Sequence, residues 1–268
     1  MKLLLSNDDG VYSVGIQTMA RSLTCAGHEV LVVAPDRERS AHGHAMTLDR
    51  PLHLKEVERK WLSTDFPAYA CDGTPTDCVI MGFDVLKFDP DMVISGINQG
   101  PNLGDDLTYS GTACAAMEGL IFGVPSIAVS LVSSSRDAEH HNETAADVTI
   151  ALIEWTKENP LRDGVMFNVN VPNVPLSELK GISLTKKGNR RYRDKIRVGK
   201  SPEGCDTYWI GGKIEDLAEE GTDVMAIGRN FASVTPIHMD MTCFEACHEY
   251  KKAGIETALE KKLFSNQR

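Results

Sequence analysis

Two adjacent carboxylates, Asp8 and Asp9, follow a short apolar run and precede Gly10 in the segment LLSNDDG. On a strand, neighbouring side chains point to opposite faces, but in a turn both can converge on one point. Two converging carboxylates repel each other unless a cation sits between them. Hard oxygen ligands suit Mg²⁺, Mn²⁺ or Ca²⁺, whereas zinc would want the His or Cys that this turn lacks. The bland reading is a helix-capping turn, since Asp is favoured near a helix amino terminus.

A second constellation spans residues 95–119, SGINQGPNLGDDLTYSGTACAAMEG. Four glycines punctuate its loop, where backbone can approach a ligand closely. Ser110, Gly111 and Thr112 then open a helix, and its free N–H groups and hydroxyls form a natural phosphate cradle. Asn102 is a further candidate contact to the phosphoryl oxygens. An ordinary connection with a Ser or Thr cap is the alternative, although a long irregular loop inside a compact domain usually carries function. The spacing is neither GxxxxGK[ST] nor GxGxxG, which weakens ATPase and dinucleotide-binding readings.

Other residues admit two readings each. His238 in TPIHMD is a candidate proton donor to a leaving oxygen or a structural histidine, and His42 and His44 are candidate substrate contacts. Asp36 and Arg39 read as loop-stabilising ions, while Asp105 and Asp106 suit capping, solvation or support of a metal ligand. The basic run Lys186 to Arg197 is either a solvated hairpin or a cationic rim. Tyr109 or Tyr192 could stack on a base.

These residues need a scaffold that brings distant loops together. Lys2 to Ser6, His28 to Ala34, Asp91 to Ile97, Pro125 to Leu131 and Val165 to Val171 read as buried strands. Helical patterns at Val14–Cys25, at Ser110–Phe122, at Thr144–Lys157 and after Thr74 or Thr76 lie between them. Apolar strands separated by helices imply right-handed βαβ units and a mainly parallel sheet covered on both faces. The loops NDDG, PDRERSAHGH and NQGPNLGDDLTYSGT each leave the carboxyl end of such a strand, where ligands bind in open sheets. They should therefore meet on one edge. Beyond about residue 180 the pattern predicts a long hairpin returning through YWIGG, short strands at Thr222–Ile227 and Ser233–Met239, and one helix from Phe244 to Leu263.

The 268 residues suffice for a sizeable core, and 42% hydrophobic with 25% charged residues excludes a disordered or fibrous chain. A formal net charge of −10 disfavours nucleic acid and anionic membranes as partners. Seven cysteines without a CxxC, a short apolar start and no apolar run of membrane-spanning length lead us to expect a cytoplasmic protein with reduced thiols.

Taken together, LLSNDDG, VAPDRERS, DGTPTDCV, SGIN-GPNLGDD-YSGT-AAMEG and FGVPSIAVS resemble the SurE family of metal-dependent nucleotidases. Weaker matches at NVNVP, KKGNRRYRD, YWIGG and SVTPIHMD extend the resemblance over nearly the whole chain. It implies an α/β fold, a Rossmann-like three-layer α/β/α core with a mainly parallel sheet, plus a C-terminal β-hairpin arm and helix. It implies one domain over 1–268, with about 180–268 forming an extended, swapped oligomerisation arm in a homodimer or homotetramer. By matching position, one divalent cation per subunit, Mg²⁺ or Mn²⁺, would be held by Asp8, Asp9, Ser40 and Asn98, the two aspartates also being catalytic. The implied reaction is hydrolysis of nucleoside 5′-monophosphates, with 3′-monophosphates and short polyphosphate as further substrates. The chain departs from the family pattern at Ala41-His42-Gly43-His44 and at Cys114, which bears on nucleotide preference. A non-catalytic nucleotide or phosphate sensor using the same cradle is the alternative, and a Rossmann-type oxidoreductase or glycosyltransferase comes third.

Overall fold

Alternation along the central strands decides the layers. In β1 (Lys2–Ser6), Leu3 and Leu5 face one side while Leu4 faces the other, and all three are wholly buried. A strand that is apolar on both faces must lie inside a sheet covered twice. The computed structural model describes residues 1–58, 60, 66–133, 139–193, 196–217 and 219–264. It comprises a body, Met1–Ile237, and a terminal unit, His238–Arg268.

The body carries a nine-stranded sheet in the order β3-β4-β2-β1-β5-β6-β7-β13-β8. Its strands are β1, β2 (Glu29–Pro35), β3 (Leu54–Glu56), β4 (Ala68–Cys71), β5 (Met92–Gln99), β6 (Ser126–Val132), β7 (Val165–Pro172), β8 (Ile182–Leu184) and β13 (Ala232–His238). The pairs β1–β2, β1–β5, β2–β4, β5–β6, β6–β7 and β8–β13 are parallel, and β3 pairs antiparallel with β4. Helices α1 (Val14–Cys25) and α4 (Asn142–Glu158) pack on the face holding Leu3, Leu5, Val30 and Val32. On the other face, α2 (Pro75–Ile80) and α3 (Gly111–Ile121) pack on Leu4, Leu31, Val33 and Val93. Each such fully buried leucine contributes roughly 1.5–3 kcal/mol. The chain leaves β1 toward β2 on one side and re-enters at β5 on the other, so the order reverses between β1 and β5. A crevice at the strands' carboxyl ends is expected at that reversal.

Beyond the sheet, β9 (Asn189–Arg193) pairs antiparallel with β12 (Lys213–Leu217). Further out, β10 (Ile196–Lys200) pairs with β11 (Asp206–Ile210). The expected long hairpin is thus two successive ladders; Asp194 and Lys195 of the basic run lie outside the described residues. Two expectations are corrected. The segment Thr222–Ile227 is not a strand: Thr222 accepts a hydrogen bond from the Met225 N–H and caps a short helix, α5 (Asp223–Gly228). A hydroxyl placed to cap outweighs the apolar pattern that suggested a strand. The terminal helix is broken into α6 (Phe244–Lys252) and α7 (Ile255–Phe264) at Gly254, whose φ of +73° suits glycine.

Candidate active site

The first loop is closed by its own asparagine. The Asn7 side-chain nitrogen donates to the Gly10 carbonyl (3.1 Å) and the Ser13 hydroxyl (2.8 Å), while its oxygen accepts from the Gly10 N–H at 3.1 Å. Gly10 has φ +97° and lies against the Arg37 backbone of the second loop. Backbone bonds stitch the two loops, Val11 N–H to the Pro35 carbonyl at 2.8 Å and Arg39 N–H to the Asp8 carbonyl at 2.7 Å. Asp8 and Asp9 are thereby held at the tip of β1 with little freedom.

Asp8 is buried, and its Oδ1 accepts a short hydrogen bond from the Thr112 hydroxyl at the start of α3. Gly111 makes this approach possible: a Cβ there would lie 2.9 Å from Asp8 Cβ and 3.1 Å from its Oδ2. Burial pushes the Asp8 carboxyl above its ordinary range, hydrogen bonding from Thr112 opposes the rise, and the nearby charge of Glu38 adds to it. Ser110 caps α3, its hydroxyl accepting from the Ala113 N–H at 3.0 Å. Asp8 thus lies directly against the Ser110-Gly111-Thr112 turn.

Asp9 reaches the third loop, accepting from the Gln99 N–H at 3.0 Å. The neighbouring Asn98 follows a register shift between β5 and β6, and its side-chain nitrogen donates to the Gly100 carbonyl at 2.9 Å. That bond leaves the amide oxygen as the end able to ligate a cation. Ser40 is exposed, and its hydroxyl donates to Glu38 Oε1 at 2.8 Å, keeping the oxygen lone pairs free. Two carboxylates, a hydroxyl and an amide oxygen are hard oxygen donors, the donor types that suit Mg²⁺ or Mn²⁺. A buried carboxylate whose charge is disfavoured is the environment a divalent cation would relieve. Among the described residues no three His, Cys, Asp or Glu side chains gather as a metal-binding group.

The remaining candidates separate. Asn102 is engaged in loop anchoring, with its side-chain nitrogen on the Ser130 hydroxyl (2.8 Å), its N–H on Asn170, and its carbonyl receiving Asn168 and Asn170. His42 is exposed, its Nδ1 3.0 Å from the Ser40 carbonyl. His44 meets buried Glu118 of α3 at 2.8 Å, and the Gly43 N–H donates to the Tyr109 carbonyl at 3.1 Å, so the second loop is tied to the third. His238 ends β13, is exposed and opens the terminal unit. Asp36 and Arg39 approach to 3.8 Å, in keeping with a loop ion pair. Cys114, one turn into α3, is buried and feels the Asp8 charge, and its thiol is pushed up to about 12, chiefly by burial.

The basic run is largely neutralised at its base. Arg190 is buried between Asp106 and Asp216, with contacts of 2.9 and 2.8 Å, and Lys187 pairs with Asp105 at 2.5 Å. Tyr192 donates its hydroxyl to Asp106, so that ring is tethered. Asp223 accepts from the N–H groups of Gly104 and Gly188 at 3.0 and 2.7 Å, joining the third loop to the hairpin base. Sequence reasoning missed Glu38, Glu118 and Asp223. Only Glu118, a lone charge among small residues in ACAAMEG at 113–119, carried a local signal.

The model of the family described as "Survival protein SurE" matches residues 3–194. A protein named 5′-nucleotidase SurE from Thermosynechococcus vestitus is 46% identical over 248 residues, covering 90% of this chain and 92% of its own. One of the same name from Stenotrophomonas maltophilia is 43% identical over 265 residues, covering 97% and 99%. The crystal structure of the SurE protein from Aquifex aeolicus superimposes with a TM-score of 0.80 at 39% identity, covering 95% of this chain and all of that one.

Proposed function

The chain belongs to the SurE family, and from that premise we propose that it is a divalent-metal-dependent 5′-nucleotidase, hydrolysing nucleoside 5′-monophosphates to nucleoside and phosphate. The observation that carries this reading is the buried Asp8 carboxylate pressed against the opening turn of α3 through Gly111 and Thr112. There a helix start whose free N–H groups suit an anion meets one of the two carboxylates proposed to hold the cation, and a phosphate monoester needs both.

Asp8, Asp9, Ser40 and Asn98 would hold Mg²⁺ or Mn²⁺, one ion per subunit. Bound there, the ion neutralises phosphoryl charge and lowers the pKa of water. The N–H groups of Gly111 and Thr112, aided by the helix dipole, would orient the phosphoryl oxygens. Thr112 also holds the Asp8 carboxyl in place through its hydroxyl. The aspartates are neighbours rather than DxD-spaced, which favours attack by water over a phosphoaspartyl route. Asn102 supports the cradle by anchoring its loop, and His42 stands beside Ser40 as a substrate contact. His238 is the candidate proton donor to the leaving oxygen. 3′-Monophosphates and short polyphosphate are the secondary substrates of this reading.

A homodimer or homotetramer, built by the arm from about residue 180, accompanies the proposal. Ile196, Val198, Tyr208 and Ile210 stand on one face of the outer ladder, all more than half exposed, and a bare two-stranded ribbon is marginal in water. Cytoplasmic residence is supported by seven unpaired cysteines, three of them buried. Among the described residues no helix is long and apolar enough to cross a membrane.

The test is phosphate release from a panel of 5′- and 3′-nucleoside monophosphates, with EDTA and then with added Mg²⁺ or Mn²⁺. Release from 5′-monophosphates that stops with EDTA and returns with metal is expected. Nucleotide binding without release under any metal would overturn the proposal in favour of a sensor.

A further inference from the structure

Tyr109 is the residue immediately before the cap of α3. Its backbone is clamped on both sides: its N–H donates to the Asp106 carbonyl at 3.0 Å, and its carbonyl accepts from the Gly43 N–H at 3.1 Å. The residue is nevertheless 67% exposed. Tyr192, the other tyrosine near this loop, is tied through its hydroxyl to Asp106 and has no free role. A large aromatic side chain on a rigid backbone is a low-entropy platform for another flat ring.

The distances suit one substrate part. Tyr109 and Gly111 are two backbone steps apart, at most about 7 Å between their Cα atoms at roughly 3.3–3.6 Å per extended residue. A tyrosine ring reaches about as far from its own Cα. The base of a nucleoside 5′-phosphate whose phosphoryl group rests on the Gly111 and Thr112 N–H groups falls within that radius.

We infer that Tyr109 is the base platform of the site, a specificity-determining residue that stacks on the nucleobase and sets the preference for nucleotides over other phosphate monoesters. This inference rests on the nucleotidase reading and deepens it. Base–aromatic stacking is sequence-tolerant because every base has a π-face, so the platform selects for a base rather than for one base.

The experiment compares adenosine 5′-monophosphate with ribose 5-phosphate, the same molecule without its base. KM for the nucleotide and the inhibition constant of ribose 5-phosphate are measured with saturating Mn²⁺. The proteins are the full-length chain and its variants Tyr109→Ala, Tyr109→Phe and Tyr12→Ala. Loss of one stacking contact predicts about a tenfold rise in KM for Tyr109→Ala. The ribose 5-phosphate constant and kcat should stay within about twofold, and Tyr109→Phe should keep the wild-type KM. An equal rise for both ligands would make Tyr109 a support of the cradle and overturn the inference. So would an unchanged KM, or a loss produced by Tyr12→Ala, since Tyr12 is another exposed tyrosine, 52% exposed in the first loop. Failure of the wild type to release phosphate from any nucleotide would instead overturn the nucleotidase reading itself.

Discussion

Gly111→Ala tests the contact on which the site is built. Gly111 carries no positive φ, so its backbone accepts alanine, and alanine in a helix is ordinarily favoured over glycine by up to about 1 kcal/mol. Here the added Cβ would lie 2.9 Å from Asp8 Cβ, 3.1 Å from Asp8 Oδ2 and 3.2 Å from Pro75 Cγ. The carbon–carbon optimum is roughly 3.5–4.0 Å, so the Asp8 contact must open by about 0.6 Å. Asp8 is only 4% exposed, so it retreats only by displacing its neighbours. Overpacking of this kind costs about 1–3 kcal/mol, a fall in Tm of several degrees for a chain this long. Displacing reacting groups by a similar distance costs about ten- to a hundredfold in rate. Gly228→Ala is the control, since a Cβ there meets nothing within 4 Å. The assays are thermal unfolding and metal-supported phosphate release. A Gly111→Ala protein with kcat/KM within twofold of wild type, and no less stable than the control, would refute the argument that close approach positions Asp8.

Asp8→Asn removes a carboxylate whose charge is disfavoured by burial, so in EDTA it should raise Tm at neutral pH; with Mn²⁺ supplied, its phosphate release should fall at least about a hundredfold. Because the folded carboxyl titrates above 3.8, stability falls as pH rises from the ordinary carboxylate range through that higher value; the variant should lack this fall. A lower Tm in EDTA would count against desolvation as the cause. Arg190→Ala strands Asp106 and Asp216 beside a buried gap, since the Arg190 side chain is only 4% exposed. Breaking such a pair should destabilise the protein by about 3 kcal/mol in denaturant unfolding, and a loss under about 1 kcal/mol would refute the bridging role. Brief alkylation at mildly alkaline pH should label Cys25, Cys205, Cys243 and Cys247 by mass spectrometry and spare Cys71, Cys78 and Cys114. Rapid labelling of Cys114 would contradict a thiol held near 12.

Much of the fold is legible in the residues because the central strands bury both faces. LLLS, VLVVA, MVISGI, SIAVSL and VMFNVNV are apolar runs too short for helices, and βαβ connectivity then places their trailing loops on one edge. The segment Thr222–Ile227 was less legible, because a four-residue apolar run reads alike as strand or as short helix until the Thr222 hydroxyl finds the Met225 N–H. The break at Gly254 follows from a residue that the apolar period alone passes over.

Residue type alone determined the hard-oxygen chemistry of Asp8 and Asp9 and the anion-binding potential of Ser110-Gly111-Thr112, since both are local properties of side chains and helix ends. Only the tertiary structure decided that these two meet, 104 residues apart, through the Thr112–Asp8 hydrogen bond. It also turned Asn102 and Tyr192 toward anchoring partners on β6 and the third loop, while leaving Tyr109 exposed. The physical reason is the same in each case. Burial and hydrogen-bond partnership depend on which distant segments a sheet of this order brings to one edge, and no local pattern encodes that.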